Sequence, residues 1–118
     1  MKKILGVVLA IALVGAFIND VGRYARTRYN LSIIAQQAAQ AAARDRNATR
    51  DQNAVKAADV AARDGATVYL YDQTDQGVHV WVEAPVQGTW VWGPFVAWQN
   101  DEPLSTPFKV TYDETASF

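Results

Sequence analysis

An uncharged apolar run near the start of the chain constrains the fold more than any other feature of the sequence. This apolar run covers residues 4–18, follows Lys2 and Lys3, and ends at Asn19 and Asp20. Its fifteen residues would rise about 22 Å as a helix, which is short of the roughly 30 Å hydrocarbon core of a bilayer. The run therefore predicts either a short membrane anchor or the apolar part of a signal peptide.

The residues around the end of the run help to distinguish a retained anchor from a cleaved signal peptide. Val14 and Ala16 occupy the small-residue positions of a signal-peptidase site, so cleavage would follow Ala16. Helical spacing nevertheless continues unbroken beyond the run, whereas a cleavable signal peptide is normally followed by extended chain. We therefore predict a membrane anchor over residues 1–20, with a signal peptide as the alternative. Lys2 and Lys3 predict an N-terminus in the cytoplasm and the bulk of the chain outside it, although Arg23, Arg26 and Arg28 on the far side of the run weaken this rule.

Residues 21–46 are predicted to form a helical stalk. Small and apolar side chains recur there at steps of three and four, which is typical of a surface that packs against another helix. Alanines in such a stripe allow close approach of a neighbouring helix. We expect this stripe to be an assembly interface, formed by Val21, Tyr24, Leu31, Ala35, Ala38 and Ala42.

Residues 47–118 are predicted to form a small head outside the cytoplasm. Thr49 and Gln52 have the spacing of a capping box, and Gly65 stands where the resulting short helix would end. From Ala66 the apolar period changes to two, in the segments TVYLY, VHVWVEA and FKVTY. The predicted fold class is α+β, with a long N-terminal membrane-anchored helix, a second short helix and an antiparallel sheet of three or four strands.

The sequence offers few groups for catalysis. It has one histidine and no cysteine, and it contains no HExxH, GxSxG or glycine-rich phosphate motif. His79 and Glu83 alternate with valines, which predicts a surface location, and an envelope enzyme built on these two residues is a rival hypothesis. The acidic stretch between TVYLY and VHVWVEA is predicted to be a turn and not a calcium loop. We therefore predict no enzyme activity, no cofactor and no metal.

Aromatic residues are concentrated in the second half of the chain. Trp90 and Trp92 are expected to share one face of a strand, and core packing is the favoured role of the group. The alternative is an exposed surface that touches a membrane, a sugar or a partner subunit. That possible binding surface consists of Trp81, Trp90, Trp92 and Trp98.

Charge is divided unevenly along the chain. Residues 1–50 hold eight Lys and Arg against two Asp, a net of +6, and residues 51–118 hold three against ten acidic residues, a net of −7. A basic segment beside an apolar run suits a lipid bilayer or an acidic protein neighbour, and the acidic remainder argues against nucleic acid. Without a disulfide staple, so small a head would gain from packing against other subunits, so we expect an oligomer or a complex.

The stretch NDVGRYARTRYNLSIIAQQAAQAAA, together with the apolar run before it, resembles the TadE/TadG-like family of the tight-adherence (Flp) pilus apparatus. Later segments, VHVWVEAPV and FKVTYDE, resemble the closing strands of that family. The positions that carry the helical part of the resemblance are Asp20, Gly22, Arg23, Arg28, Leu31, Ala35, Ala38, Ala39, Ala42 and Ala43.

The resemblance implies a minor pilin or pseudopilin-like protein in the bacterial inner membrane, with a single membrane pass and a head outside the cytoplasm. Its implied partners are other pilus subunits and inner-membrane assembly proteins, and the chain would stay in the machine or enter a surface pilus. It implies no catalytic residues. The alternative is a small binding module, secreted or periplasmic and released by signal peptidase, that uses its Trp-rich segment as the binding surface.

Overall fold

Three helices and three strands make up the part of the chain described by the computed structural model, residues 2–118. In chain order they are α1 (Lys2–Ala43), α2 (Arg50–Arg63), β1 (Thr67–Gln73), β2 (Gly77–Val86), α3 (Trp92–Gln99) and β3 (Phe108–Ser117). The predicted α+β class is confirmed, with a long first helix, a short second helix and a sheet of three strands. The helix α3 was not predicted.

The strands form one antiparallel sheet in the order β1-β2-β3. In the first hairpin Thr67 is paired with Glu83 and Gln73 with Val78, with a bulge near Val68. The Thr74 N–H donates to the Gly77 carbonyl across the turn at 2.9 Å, so the predicted turn is confirmed. The second connection is much longer, because 21 residues separate β2 from β3 and α3 lies among them.

The chain divides into two compact units. The first extends to Arg26 and also includes Val86–Phe108, and the second comprises Thr27–Pro85 and Lys109–Phe118. The division into an anchor, a stalk and a head, with boundaries at residues 20 and 46, stays a prediction.

The second unit has its own apolar core. Val78, Val80 and Val82 are buried, whereas the alternate side chains of β2 are only partly covered; this confirms the predicted period of two. The helix α2 packs against β1. The core also includes Leu31, Ile34, Ala35, Ala38, Ala39, Ala42, Ala57, Ala61, Ala66, Tyr71 and Val110.

Both ends of α2 follow from local sequence. The Thr49 side chain accepts from the Gln52 N–H and the Gln52 side chain accepts from the Thr49 N–H, each at 3.2 Å, so the capping box is confirmed. At the other end Gly65 adopts a φ of +81°. Its N–H donates to the Ala62 carbonyl at 3.2 Å, and the Ala66 N–H donates to the Ala61 carbonyl at 3.0 Å, which is the Schellman pattern that favours glycine.

One buried polar side chain links three parts of the second unit. Asn53 of α2 is fully buried, and its Nδ2 donates to the Asp45 carbonyl and to the Gln73 side-chain oxygen, each at 3.1 Å. The same Gln73 oxygen accepts from the Tyr71 hydroxyl at 2.7 Å. Asn53 therefore ties the loop after α1 to the end of β1, with donors that a carboxylate lacks.

We predict that Asn53→Asp lowers the free energy of unfolding by about 3–5 kcal/mol, because an unpaired charge would replace two donors in a buried site. Urea unfolding of the detergent-solubilised chain, followed by circular dichroism, measures the change. The control is Asn30→Asp, the same substitution at an exposed position of α1, where we expect less than about 0.5 kcal/mol. Equal effects of the two variants would contradict the role given to Asn53.

Candidate functional site

The site begins at Asp20, the first carboxylate after the apolar run. Asp20 is only 5% exposed and accepts three backbone hydrogen bonds from the first unit. The Trp90 N–H donates to Oδ1 at 2.7 Å, and the Val91 and Trp92 N–H groups donate to Oδ2 at 2.8 and 2.7 Å. The Asn19 side-chain amide donates to Oδ1 at 3.2 Å. All four acceptor positions of the carboxylate are thus used, so Asp20 has no free position for a metal or a substrate.

This carboxylate provides the N-terminal cap of α3. The residue that precedes the helix, Val91, makes no side-chain cap of its own, so the first N–H groups need another acceptor. Asp20 satisfies them from α1, and its negative charge also suits the positive end of the helix dipole. Pro94 lies in the first turn of α3, where a missing N–H is tolerated.

The ionisation of Asp20 reflects two opposing effects. Burial by itself disfavours the charged form of a carboxylate, whereas hydrogen bonds donated to it favour the charged form. Here the three backbone N–H groups of residues 90–92 and the Asn19 amide all donate to the carboxylate, an arrangement that suits a charged acceptor and not a proton donor.

Neighbouring side chains of α1 hold the same loop. The Asn19 amide donates to the Gly88 carbonyl at 3.0 Å. Gly88 has a φ of +74°, and a Cβ there would lie 3.2 Å from the Arg23 guanidinium carbon, so the backbone and the close approach both favour glycine. We call this set of contacts, from Asn19, Asp20 and Arg23 to residues 88–92, the Asp20 clamp.

The Asp20 clamp positions an aromatic segment, residues 88–98. The prediction that Trp90 and Trp92 share a strand face was wrong: Trp90 precedes α3 and Trp92 begins it, because the distant carboxylate supplies the cap that a helix needs there. The favoured core role was also wrong. Trp90 is 66% exposed and Trp98 is 68% exposed, since the buried positions of α3 are the small residues Gly93 and Ala97.

Three of these aromatic side chains form a row along α3. The ring centroids of Trp92 and Phe95 lie 6.4 Å apart, and those of Phe95 and Trp98 also lie 6.4 Å apart. We call Trp92, Phe95 and Trp98 the aromatic row. A largely apolar groove of about 330 Å³ lies beside it, lined by Phe17, Asp20, Val21, Tyr24, Thr89, Trp92 and Phe108.

The structure divides the predicted assembly stripe into two groups. Leu31, Ala35, Ala38 and Ala42 are buried within the core of the second unit, because the chain's own residues cover them. Val21 and Tyr24 are exposed and line the groove of the first unit.

The predicted tryptophan surface is divided as well. Trp81 belongs to the second unit, whereas Trp90, Trp92 and Trp98 belong to the first. Trp81 is half-buried and stacks on His79 with a centroid distance of 3.6 Å.

His79 and Glu83 lie in cross-strand pairs of the second unit. His79 Nε2 lies 2.7 Å from Asp113 Oδ2, and the Glu83 carboxylate lies 3.7 Å from Lys109 Nζ. Within residues 2–118 no group of three or more His, Cys, Asp or Glu side chains could hold a metal ion.

The helix that carries the Asp20 clamp also carries a match to a known family. Residues 4–45 match the Flp pilus-assembly TadE/G-like family. We call residues 4–45 the TadE/G-like segment, after this similarity. The resemblance found in the sequence is thus confirmed for this part of the chain, which includes Asp20, Arg23 and the apolar run. The chain matches none of the curated proteins and none of the solved structures.

The role of Asp20 was not predicted from the sequence. In the sequence Asp20 only marks the end of the apolar run and one position of the family resemblance. The one indication in the sequence is the position of Asp20 directly after the apolar run. A carboxylate there needs hydrogen-bond donors if it is buried. Its partners lie about seventy residues away, so the sequence could not identify them.

We predict that Asp20→Asn releases the aromatic segment from the TadE/G-like segment. The amide offers one acceptor oxygen and would direct its N–H₂ group at backbone donors, and a hydrogen bond to a charged group contributes about 1.5–3 kcal/mol. Hydrogen–deuterium exchange at the amides of Trp90, Val91 and Trp92 should accelerate by about tenfold or more. The control, Asp59→Asn on the exposed surface of α2, should leave these rates unchanged. Unchanged rates in Asp20→Asn would contradict the clamp.

Proposed function

We propose that this chain is a single-pass, membrane-anchored component of a Flp-type pilus assembly or secretion system, similar to a minor pilin or pseudopilin. The proposal rests on one observation above the others. The TadE/G-like segment contains an apolar run whose large side chains are between 55% and 70% exposed. A helix that is apolar on all sides requires a non-aqueous cover, and a bilayer is the cover that fits a pilus-assembly family.

The form of α1 supports retention of the anchor. One helix in residues 2–118, α1, is long and apolar enough to cross a membrane. It continues without a break through Ala16 and Phe17, where signal peptidase would cut to release the head. Lys2 and Lys3 favour a cytoplasmic N-terminus, and the rest of the chain then lies outside the cytoplasm. The released binding module is the competing function, and the exposed tryptophans of the aromatic segment are the feature that favours it.

Assembly would use surfaces that the folded chain leaves open. The groove beside the Asp20 clamp is largely apolar, and every acceptor position of its carboxylate is filled, so it suits an apolar side chain or helix of another pilus subunit. Val21 and Tyr24 are the part of the predicted stripe that such a partner can reach. Arg23 and Arg26 are exposed on the same stretch of α1, where acidic heads of neighbouring subunits would make salt-sensitive contacts.

We predict that the chain, expressed with a C-terminal tag in a bacterial host, keeps its full-length mass and stays in the membrane after carbonate extraction. The physical reason is the exposed apolar run, which carbonate does not solubilise. Intact-mass spectrometry and fractionation measure the two properties. A soluble periplasmic product that begins at Phe17 would contradict the anchor and would favour the released binding module.

We predict that Val21→Asp reduces pilus output, because it places a charge beside the apolar groove where a partner would pack. The measurement is pilus production in a strain that makes a Flp-type pilus and carries the variant as its copy of this chain. The matched control is Val55→Asp, since Val55 is similarly exposed on α2 but lies in the second unit. Normal pilus output from Val21→Asp, with amounts of protein equal to the control, would contradict assembly through this groove.

A further inference from the structure

The aromatic row and Trp90 are exposed, although they are among the largest apolar side chains of the chain. The buried positions of α3 are instead Gly93 and Ala97. A Cβ at Gly93 would overlap the Thr89 hydroxyl, so the inner face of the helix is fitted closely to the loop before it. The arrangement reverses the usual one, in which large apolar side chains face the core. An exposed aromatic face of this kind indicates a contact surface.

The chain around this surface carries no formal charge. Residues 84–100 contain no Asp, Glu, Lys or Arg, whereas Glu83 precedes them and Asp101 follows them. Tryptophan combines an apolar body with one N–H donor, which suits a boundary between an apolar phase and water. The composition of residues 84–100 therefore fits partial immersion in a lipid bilayer better than exposure to bulk water.

The Asp20 clamp fixes where along α1 this surface lies. Asp20 follows the last residue of the apolar run by two positions, which is a rise of about 3 Å. The Trp90 and Trp92 N–H groups lie 2.7 Å from its carboxylate oxygens. Trp92 also lines the same groove as Phe17, which belongs to the apolar run. The aromatic segment thus begins at the level where the apolar run ends.

We propose that the aromatic row and Trp90 lie in the interfacial layer of the bilayer, as a second membrane contact beside the anchor. This inference rests on the proposed anchor. Tryptophan is enriched at this layer.

The length of the anchor provides a physical reason for a second contact. The apolar run is about 8 Å shorter than a typical hydrocarbon core. A short anchor is accommodated by thinning of the bilayer or by flanking residues, each at a modest free-energy cost per ångström of mismatch. The aromatic row supplies apolar surface at the end of the run that faces away from the N-terminus, and so reduces the mismatch.

The test is the depth of individual tryptophans in vesicles of phosphatidylethanolamine and phosphatidylglycerol with brominated acyl chains. One full-length variant keeps Trp98 and changes the other three tryptophans to Phe. The control variant keeps Trp81, which stacks on His79 in the second unit. Flotation of the vesicles reports anchoring separately, and exchange at amides 90–92 reports that the clamp is intact. We expect lipid bromine to remove most of the Trp98 emission and little of the Trp81 emission.

Other outcomes would overturn the inference in distinguishable ways. If the chain floats with the vesicles but Trp98 is quenched only by acrylamide from the water, the anchor stands and the interfacial contact fails. If neither quencher reaches Trp98 in the floating chain, a protein surface covers the row and the lipid contact fails. If the chain does not float, the proposed anchor and the interfacial contact fail together.

Discussion

The Asp20 carboxylate and its three backbone donors are the interaction on which the first unit depends. A buried carboxylate is tolerated only when its hydrogen-bonding capacity is met, and here residues 90–92 and Asn19 meet it fully. The same contact starts α3, which has no side-chain cap of its own. One side chain of α1 therefore decides both the conformation of the aromatic segment and the level on α1 at which it lies.

The two units satisfy the need to bury apolar surface in different ways. In the second unit, small alanines of α1 and α2 and the valines of β2 are covered by the chain itself. In the first unit, the apolar run and the aromatic segment remain exposed, and the proposed function assigns their cover to a bilayer and to other subunits. The TadE/G-like segment contains both covered and exposed apolar residues, because α1 contributes residues to each unit.

The features that were predicted correctly from the sequence are those that depend on residues close together in the chain. The capping box of Thr49 and Gln52, the end of α2 at Gly65 and the alternation of valines in β2 are all set within a few residues. The prediction of a strand at α3 was wrong. The aromatic residues there favour a strand, but the hydrogen bonds that start the helix are accepted by Asp20, which is distant in sequence. The alanine stripe was ambiguous for another reason, because periodicity shows that a face is covered but does not show whether the cover is the same chain or another one.

The connection between β2 and β3 is a place where the fold can tolerate changes in chain length. Its 21 residues join two neighbouring antiparallel strands, where a hairpin commonly needs only two to five. The Asp20 clamp fixes the first part of this connection, and the strands fix its ends. The free energy of closing such a loop grows only slowly with its length. The stretch between α3 and β3 can therefore lengthen or shorten while strand pairing and clamp persist, which makes it a natural position for inserted sequence.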